Sequence, residues 1–122
     1  MSLKRNLGLV SFEFYFNKKK VNLDVKECKS ILSKTLGLMF RRKSEPLLFI
    51  FSKEKTLAIH SFFCQSFIAI WISSSGKIVK IEKITRWRPN FSAKGKYLLE
   101  VPSSDESYLR MTKIFNLSDE KK

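Results

Sequence analysis

Cysteine is nearly absent: Cys28 and Cys64 are the only two in 122 residues. Neither stands in a CxxC spacing, which removes the usual zinc signatures, and two thiols are too few for a disulfide framework. Isolated cysteines among apolar neighbours read as small buried hydrophobes, with a bridge between them still open from sequence alone. Glycine and proline are scarce too, at four and three residues, which leaves little room for long flexible loops. None of the glycines falls in a phosphate-binding spacing. Histidine occurs once, as His60, with no carboxylate close by in sequence and no nucleophile elbow anywhere, so a structural role is expected for it. The eleven carboxylates are scattered; the closest pairs, Asp105-Glu106 and Asp119-Glu120, lie at an expected helix start and in a tail. The sequence therefore points to no metal site, no cofactor and no catalytic residue.

Negative charge is short as well. Twenty-four Lys and Arg face 11 Asp and Glu, for a formal net charge of +13. Such an excess attracts polyanions, which release counterions on binding; the plainer alternative is a solvated basic surface. One stretch lacks charge altogether: positions 56 to 75 are long enough to span a bilayer. They include His60, Gln65 and several serines, which are costly in hydrocarbon, and their large apolar residues fall into two clusters, 57–63 and 67–72. Two adjacent strands are expected there rather than a membrane helix. No cleavable apolar stretch opens the chain, so the expected location is the cytoplasm.

What is present is 43% apolar residues with eleven Phe, enough for one core in one domain over residues 1–122. Val10, Phe12, Phe14 and Phe16 alternate with polar neighbours, the clearest strand in the chain, and Val21 to Leu23 can pair back on it. Asp24 and Glu27 have capping-box spacing, Val25, Cys28, Ile31, Leu32 and Leu36 form a stripe, and Gly37 suits a C-terminal cap. A main helix over about 25–36 is predicted. Further strands are expected at 47–51, 57–63, 67–73, 77–84 and 96–101, with Ser73-Ser74-Ser75-Gly76 as a hairpin turn. A short helix capped by Ser103 or Ser104 follows Pro102, with Asp105 and Glu106 in its first turn; 118–122 reads as a frayed tail. The predicted fold is α+β: a single compact domain with an antiparallel bent sheet or partial β-barrel, one main helix and a short C-terminal one.

The strongest chemical signal is cationic. Arg86, Arg88, Lys94 and Lys96 lie within eleven positions that also hold Trp87 and Phe91, and Arg41-Arg42-Lys43 forms a second cluster. Guanidinium groups beside aromatic faces suit phosphate contact and base stacking. Arg41, Arg42, Arg86, Arg88, Lys94 and Lys96 are the candidate anion contacts; Trp87 and Phe91 are the candidate stacking residues. Each has an ordinary explanation as a charged loop or a core lid, and no recognised nucleic-acid motif accompanies them.

Several short segments carry a family likeness. Gly37-Leu38-Met39-Phe40-Arg41-Arg42, Ile59-His60, Gly76-Lys77-Ile78-Val79, Trp87-Arg88-Pro89 and Lys96 to Pro102, in that order and spacing, resemble the archaeal form of the family catalogued as domain of unknown function 192. The likeness covers about residues 20–110. It implies a compact α+β domain rich in antiparallel strands and no established activity; some relatives carry an export signal that is not seen here. Relatives usually read Pro-Ile/Leu-Asp after the His-containing strand, where this chain has Phe67-Ile68-Ala69, so the acidic residue is replaced by Ala69. The expected function is a non-catalytic binding module for RNA, DNA or an acidic protein. The alternatives are an enzyme pocket near His60, Arg41 and Arg88, and a structural or protein-interaction domain.

Overall fold

The computed structural model describes residues 8–29, 37–39, 41–87 and 91–117. The chain opens with a hairpin of β1 (Val10–Phe16) and β2 (Lys19–Cys28), in register from Val10 opposite Val25 to Phe16 opposite Lys19. Asn17 and Lys18 make the two-residue turn with φ of 51° and 67°. Two left-handed residues give a hairpin turn whose twist matches that of the strands, and Asn tolerates that conformation well. The lysine run is thus shared between a turn and a strand start.

β2 runs on where a helix was predicted. Val21, Leu23 and Val25 are buried at alternate positions, and Lys26 to Cys28 leave β1 to pair in parallel with Leu47 to Phe49. Asp24 to Cys28 are therefore extended, and the capping-box spacing of Asp24 and Glu27 lies in a strand. Pairing on two sides outweighs a local helical signal at these positions. The remainder of the predicted main helix, 30–36, lies outside the described residues, as does the tail at 118–122.

β3 (Leu47–Ile59) joins two predicted strands into one, with a register irregularity between Ile50 and Lys55. β4 (Phe67–Ile72) and β5 (Ile78–Ile84) flank the predicted Ser73–Gly76 turn, where Ser73 and Lys77 exchange a 2.8 Å backbone hydrogen bond. β6 (Phe91–Pro102) lies between β3 and β4, antiparallel to both. The strand order is β1-β2-β3-β6-β4-β5, mixed rather than wholly antiparallel because of the β2–β3 pair. The two outer strands also touch: the Tyr15 N–H donates to the Gly76 carbonyl at 2.9 Å, and Tyr15 bridges Lys77. The sheet therefore curls into a partial barrel.

Inside the curl, residues from all six strands meet, among them Phe14, Leu23, Leu48, Ile70, Ile81 and Leu99. The only helix among the described residues, α1 (Ser107–Ile114), closes this side with Met111 and, just past its end, Phe115, whose ring meets Phe16 edge-on at 4.9 Å. Its start comes later than a Ser103 or Ser104 cap would place it. The Asp105 carboxylate instead accepts the Ser107 backbone N–H at 3.0 Å and the Ser107 hydroxyl. On the opposite face a second cluster gathers Leu47, Phe67, Trp71, Ile84, Phe91 and Leu98. Trp71 is fully buried there and its Nε1–H donates to the Leu57 carbonyl at 2.9 Å. No helix among the described residues is long and apolar enough to cross a membrane.

At Gly95, where β6 passes the β3 irregularity, a Cβ would stand 3.1 Å from the Ile72 carbonyl oxygen and 3.3 Å from the Ile72 nitrogen and the Tyr97 oxygen. All three are backbone atoms in paired strands, so relief requires the strands to move. Gly95→Ala should cost about 1–3 kcal/mol, read as a lower urea midpoint. An unchanged midpoint would show that β6 has slack at this point.

Candidate functional site

Two features stand out beyond the core, and one loop belongs to both. That loop, residues 60–66, links β3 to β4. It is pinned by the Phe62 N–H donating to His60 Nδ1 at 3.1 Å, by the Ser61 hydroxyl donating to the Arg86 carbonyl at 2.9 Å, and by Gln65 Nε2 donating to the Arg41 carbonyl at 3.1 Å. The last two bonds bring the 85–87 segment and the basic turn at Arg41, Arg42 and Lys43 to the same end of the sheet. Arg42, Lys43 and Arg86 are exposed, and Arg41 is half-buried.

At this end Phe63 and Trp87 pair with ring centroids 4.9 Å apart while remaining 50% and 55% exposed. Phe63 also has φ of 61°, a left-handed conformation that is unfavourable for a bulky side chain and is held only by its surroundings. From the predicted set, the loop's hydrogen bonds hold the backbones of Arg41 and Arg86, the latter next to Trp87. Arg88 lies outside the described residues. Phe91 departs from the stacking role: it is 5% exposed and packs edge-on against Trp71, because its strand position faces the second cluster. Phe63, which the sequence reading passed over, holds the place beside Trp87. Lys94 lies three residues further along β6, about 10 Å from Phe91 at strand spacing, and Lys96 sets its Nζ 5.3 Å from the Tyr97 ring. Those two lysines belong to the strand and not to the loop end.

The second feature is a cavity of about 590 Å³ on the sheet face opposite α1. Leu38, Phe49, Phe51, Leu57, Ile59 and Leu98 give it apolar walls, while Lys55, Thr56, His60, Cys64 and Glu100 supply polar atoms. Gly37, with φ of 47°, brings the 37–39 turn down onto this face; a Cβ there would stand 3.3 Å from the Phe49 ring and 3.6 Å from a Glu100 oxygen. Absence of a side chain at Gly37 thus keeps the space beside Glu100 open.

Glu100 is the unusual member, a carboxyl 5% exposed in a strand whose neighbours on both faces are apolar. Burial pushes its pKa from 4.5 up to about 8, so it is protonated at neutral pH. Burial, with Glu100 as a secondary contributor, lifts the Cys64 thiol to about 12; Cys28 is raised as well, again chiefly by burial. Both cysteines are free thiols held in the unreactive protonated form. Across the ladder from Glu100 stands Ala69, with Glu82 on its other side. Ala69 is thus a methyl group flanked by two carboxyl-bearing neighbours. Among the described residues, no group of three or more His, Cys, Asp or Glu is arranged to hold a metal ion. Glu100 was hidden in the sequence inside Lys96 to Pro102. The available signal was that Leu98, Leu99 and Val101 make both faces of the strand apolar, so a charge between them must be buried.

Comparison with known proteins is consistent with this picture. Residues 14–110 match the model of the family DUF192, described as Uncharacterized ACR. A Pyrococcus horikoshii protein named UPF0127 protein PH1112 is 30% identical over 83 residues, 65% of this chain and 72% of that one. Among solved structures, a proposed transcription regulator from Sinorhizobium meliloti 1021 superposes with a TM-score of 0.67 at 18% identity, covering 87% of this chain and 84% of its own. A protein of unknown function from Novosphingobium aromaticivorans gives 0.70 at 11% identity, covering 90% and 80%. Identities this low speak for the fold alone.

Stability should record the buried carboxyl. Unfolded, Glu100 releases its proton near 4.5; folded, it keeps it to about 8. Between those values the folded chain binds more protons than the unfolded one, so this group's effect is that stability falls as pH rises from about 4.5 to about 8 and then levels. Glu100→Gln preserves shape and cannot ionise. Its advantage over the parent should grow by a few kcal/mol between about pH 5 and about pH 9, as measured by urea unfolding. Parallel pH profiles for the two proteins would mean that Glu100 is already ionised or hydrated in the fold.

Proposed function

The chain belongs to the DUF192 family, which is named for its lack of an assigned activity, and from that premise we propose that it is a non-catalytic binding module whose basic, aromatic end engages a nucleic acid or another polyanion. The observation that carries the reading is the exposed Phe63–Trp87 pair beside Arg86. Aromatic surface displayed in water at the cost of a left-handed Phe backbone is unfavourable for a solitary fold. It suits a base, whose π-face stacks on such rings whatever its identity. Arg86 and the Arg41-Arg42-Lys43 turn supply donors for phosphate oxygens around the same loop, and the net charge of +13 speeds the approach of any polyanion.

Catalysis finds less support. His60 spends Nδ1 on the Phe62 N–H, and both thiols are held protonated by burial. The cytoplasm, where RNA and DNA are found, is the location this reading takes.

Fluorescence anisotropy with a labelled single-stranded oligonucleotide tests the reading. If about four to six phosphates are neutralised, log K should fall against log salt with a slope of about −3 to −4. Arg42→Glu with Arg86→Glu should weaken binding at least tenfold across unrelated sequences while the thermal midpoint stays in place. Trp87→Ala should weaken it without changing the salt slope. Absence of binding at low salt, or a slope near zero, would leave the basic end as solvated surface.

A further inference from the structure

The cavity on the other face plays no part in polyanion binding, and it has its own chemistry. We propose that it is a binding site for a small, uncharged carbonyl compound with an apolar body, whose oxygen accepts a hydrogen bond from the Glu100 carboxyl.

Size comes first. A volume of about 590 Å³ falls in the range of small-molecule sites, and the walls formed by Leu38, Phe49, Leu57 and Leu98 require an apolar body. Polarity comes next. Glu100 lines the cavity and is 5% exposed, its carboxyl oxygen 3.6 Å from the place a Gly37 side chain would fill. A buried polar group in that position is satisfied by something that enters the space. Because burial keeps the carboxyl protonated at neutral pH, it offers a donor, and the complementary ligand atom is an acceptor.

Charge then narrows the class. A cationic ligand must pass Lys55, which lines the cavity with its ammonium 5.1 Å from the Phe51 ring centre, on a chain already at +13. An anionic ligand would give up its hydration to apolar walls, while Lys55 stays exposed to solvent. A neutral oxygen meets neither penalty. Several titratable groups surround Glu100. The Cys28 and Cys64 thiols that interact with it are both raised, Glu82 lies beyond Ala69 with Lys80 3.6 Å away, and His60 and Lys55 line the wall.

Three probes of one shape separate the outcomes: acetophenone, with a carbonyl; ethylbenzene, without one; and 1-phenylethylamine, with a cation. Each is titrated into the full isotope-labelled chain and followed by amide shifts. Acetophenone should saturate in the low-millimolar range near pH 6, with shifts centred on Leu38, Phe49, Leu57 and Leu98, and bind about tenfold tighter than ethylbenzene. Near pH 9.5, with Glu100 ionised, that preference should shrink about tenfold. Glu100→Gln, which retains an N–H donor, should keep the preference without the pH effect, and Glu100→Leu should abolish it. Equal binding of acetophenone and ethylbenzene, preference for the amine, or no saturable shift with any probe would each overturn the proposal. Failure here leaves the oligonucleotide titration untouched, since Arg42, Arg86 and Trp87 are not among the residues that line the cavity.

Discussion

Phe67 to Ile72 are buried on both faces, and that double burial organises the molecule. A strand with no wet side needs a cover on each. Ile68, Ile70 and Ile72 are covered by the curl of the sheet, which brings Phe14 and Leu23 over them, and by α1 through Met111. Phe67, Ala69 and Trp71 face the other way and are covered by the 37–39 turn, the bulged β3 and the start of β6. The indole of Trp71 would be a liability in this setting, since a buried N–H needs an acceptor. The Leu57 carbonyl supplies one.

Placing β6 next to β4 carries Glu100 into the same dry layer, opposite Ala69. An acidic residue at position 69 would stand within about 5 Å of Glu100 at cross-strand spacing and raise both pKa values. Alanine leaves a single carboxyl with space in front of it. The loop at 60–66 borders this region through His60 and Cys64 and presents Phe63 to solvent at its other side. This one loop therefore borders both of the surfaces from which function can be argued.

Legibility in the sequence followed the reach of each signal. Alternation in β1 and the Ser73–Gly76 turn depend on neighbours in sequence and were read directly. The family likeness, spread over most of the chain, was read as well. Asp24 to Cys28 misled because Val21, Leu23 and Val25 satisfy a period of two, while Val25, Cys28 and Ile31 also satisfy a helical one. The choice between them is made by β1 and by Leu47 to Phe49, which are distant in sequence. The same distance hid the loop end: Phe63 meets Trp87, and the Arg41 and Arg86 backbones join the loop through Gln65 and Ser61, across segments far apart in sequence. Phe91 was indistinguishable from Trp87 by neighbourhood and differs from it only in which way the strand turns it.

β6 occupies the middle of the sheet although it is the last strand made. During synthesis the β1–β2 and β4–β5 hairpins can close as soon as they emerge, since their partners are adjacent in the chain. One edge of β3 and one edge of β4 have no partner until residues 91–102 leave the ribosome. The β4 edge belongs to a wholly apolar strand, and open apolar edges recruit other chains. At synthesis rates of about 5–20 residues per second the interval lasts a few seconds. Crowded nascent chains are thus at greatest risk of misassembly just before the final strand is inserted, and a chain cut short ahead of Phe91 would keep that exposure permanently.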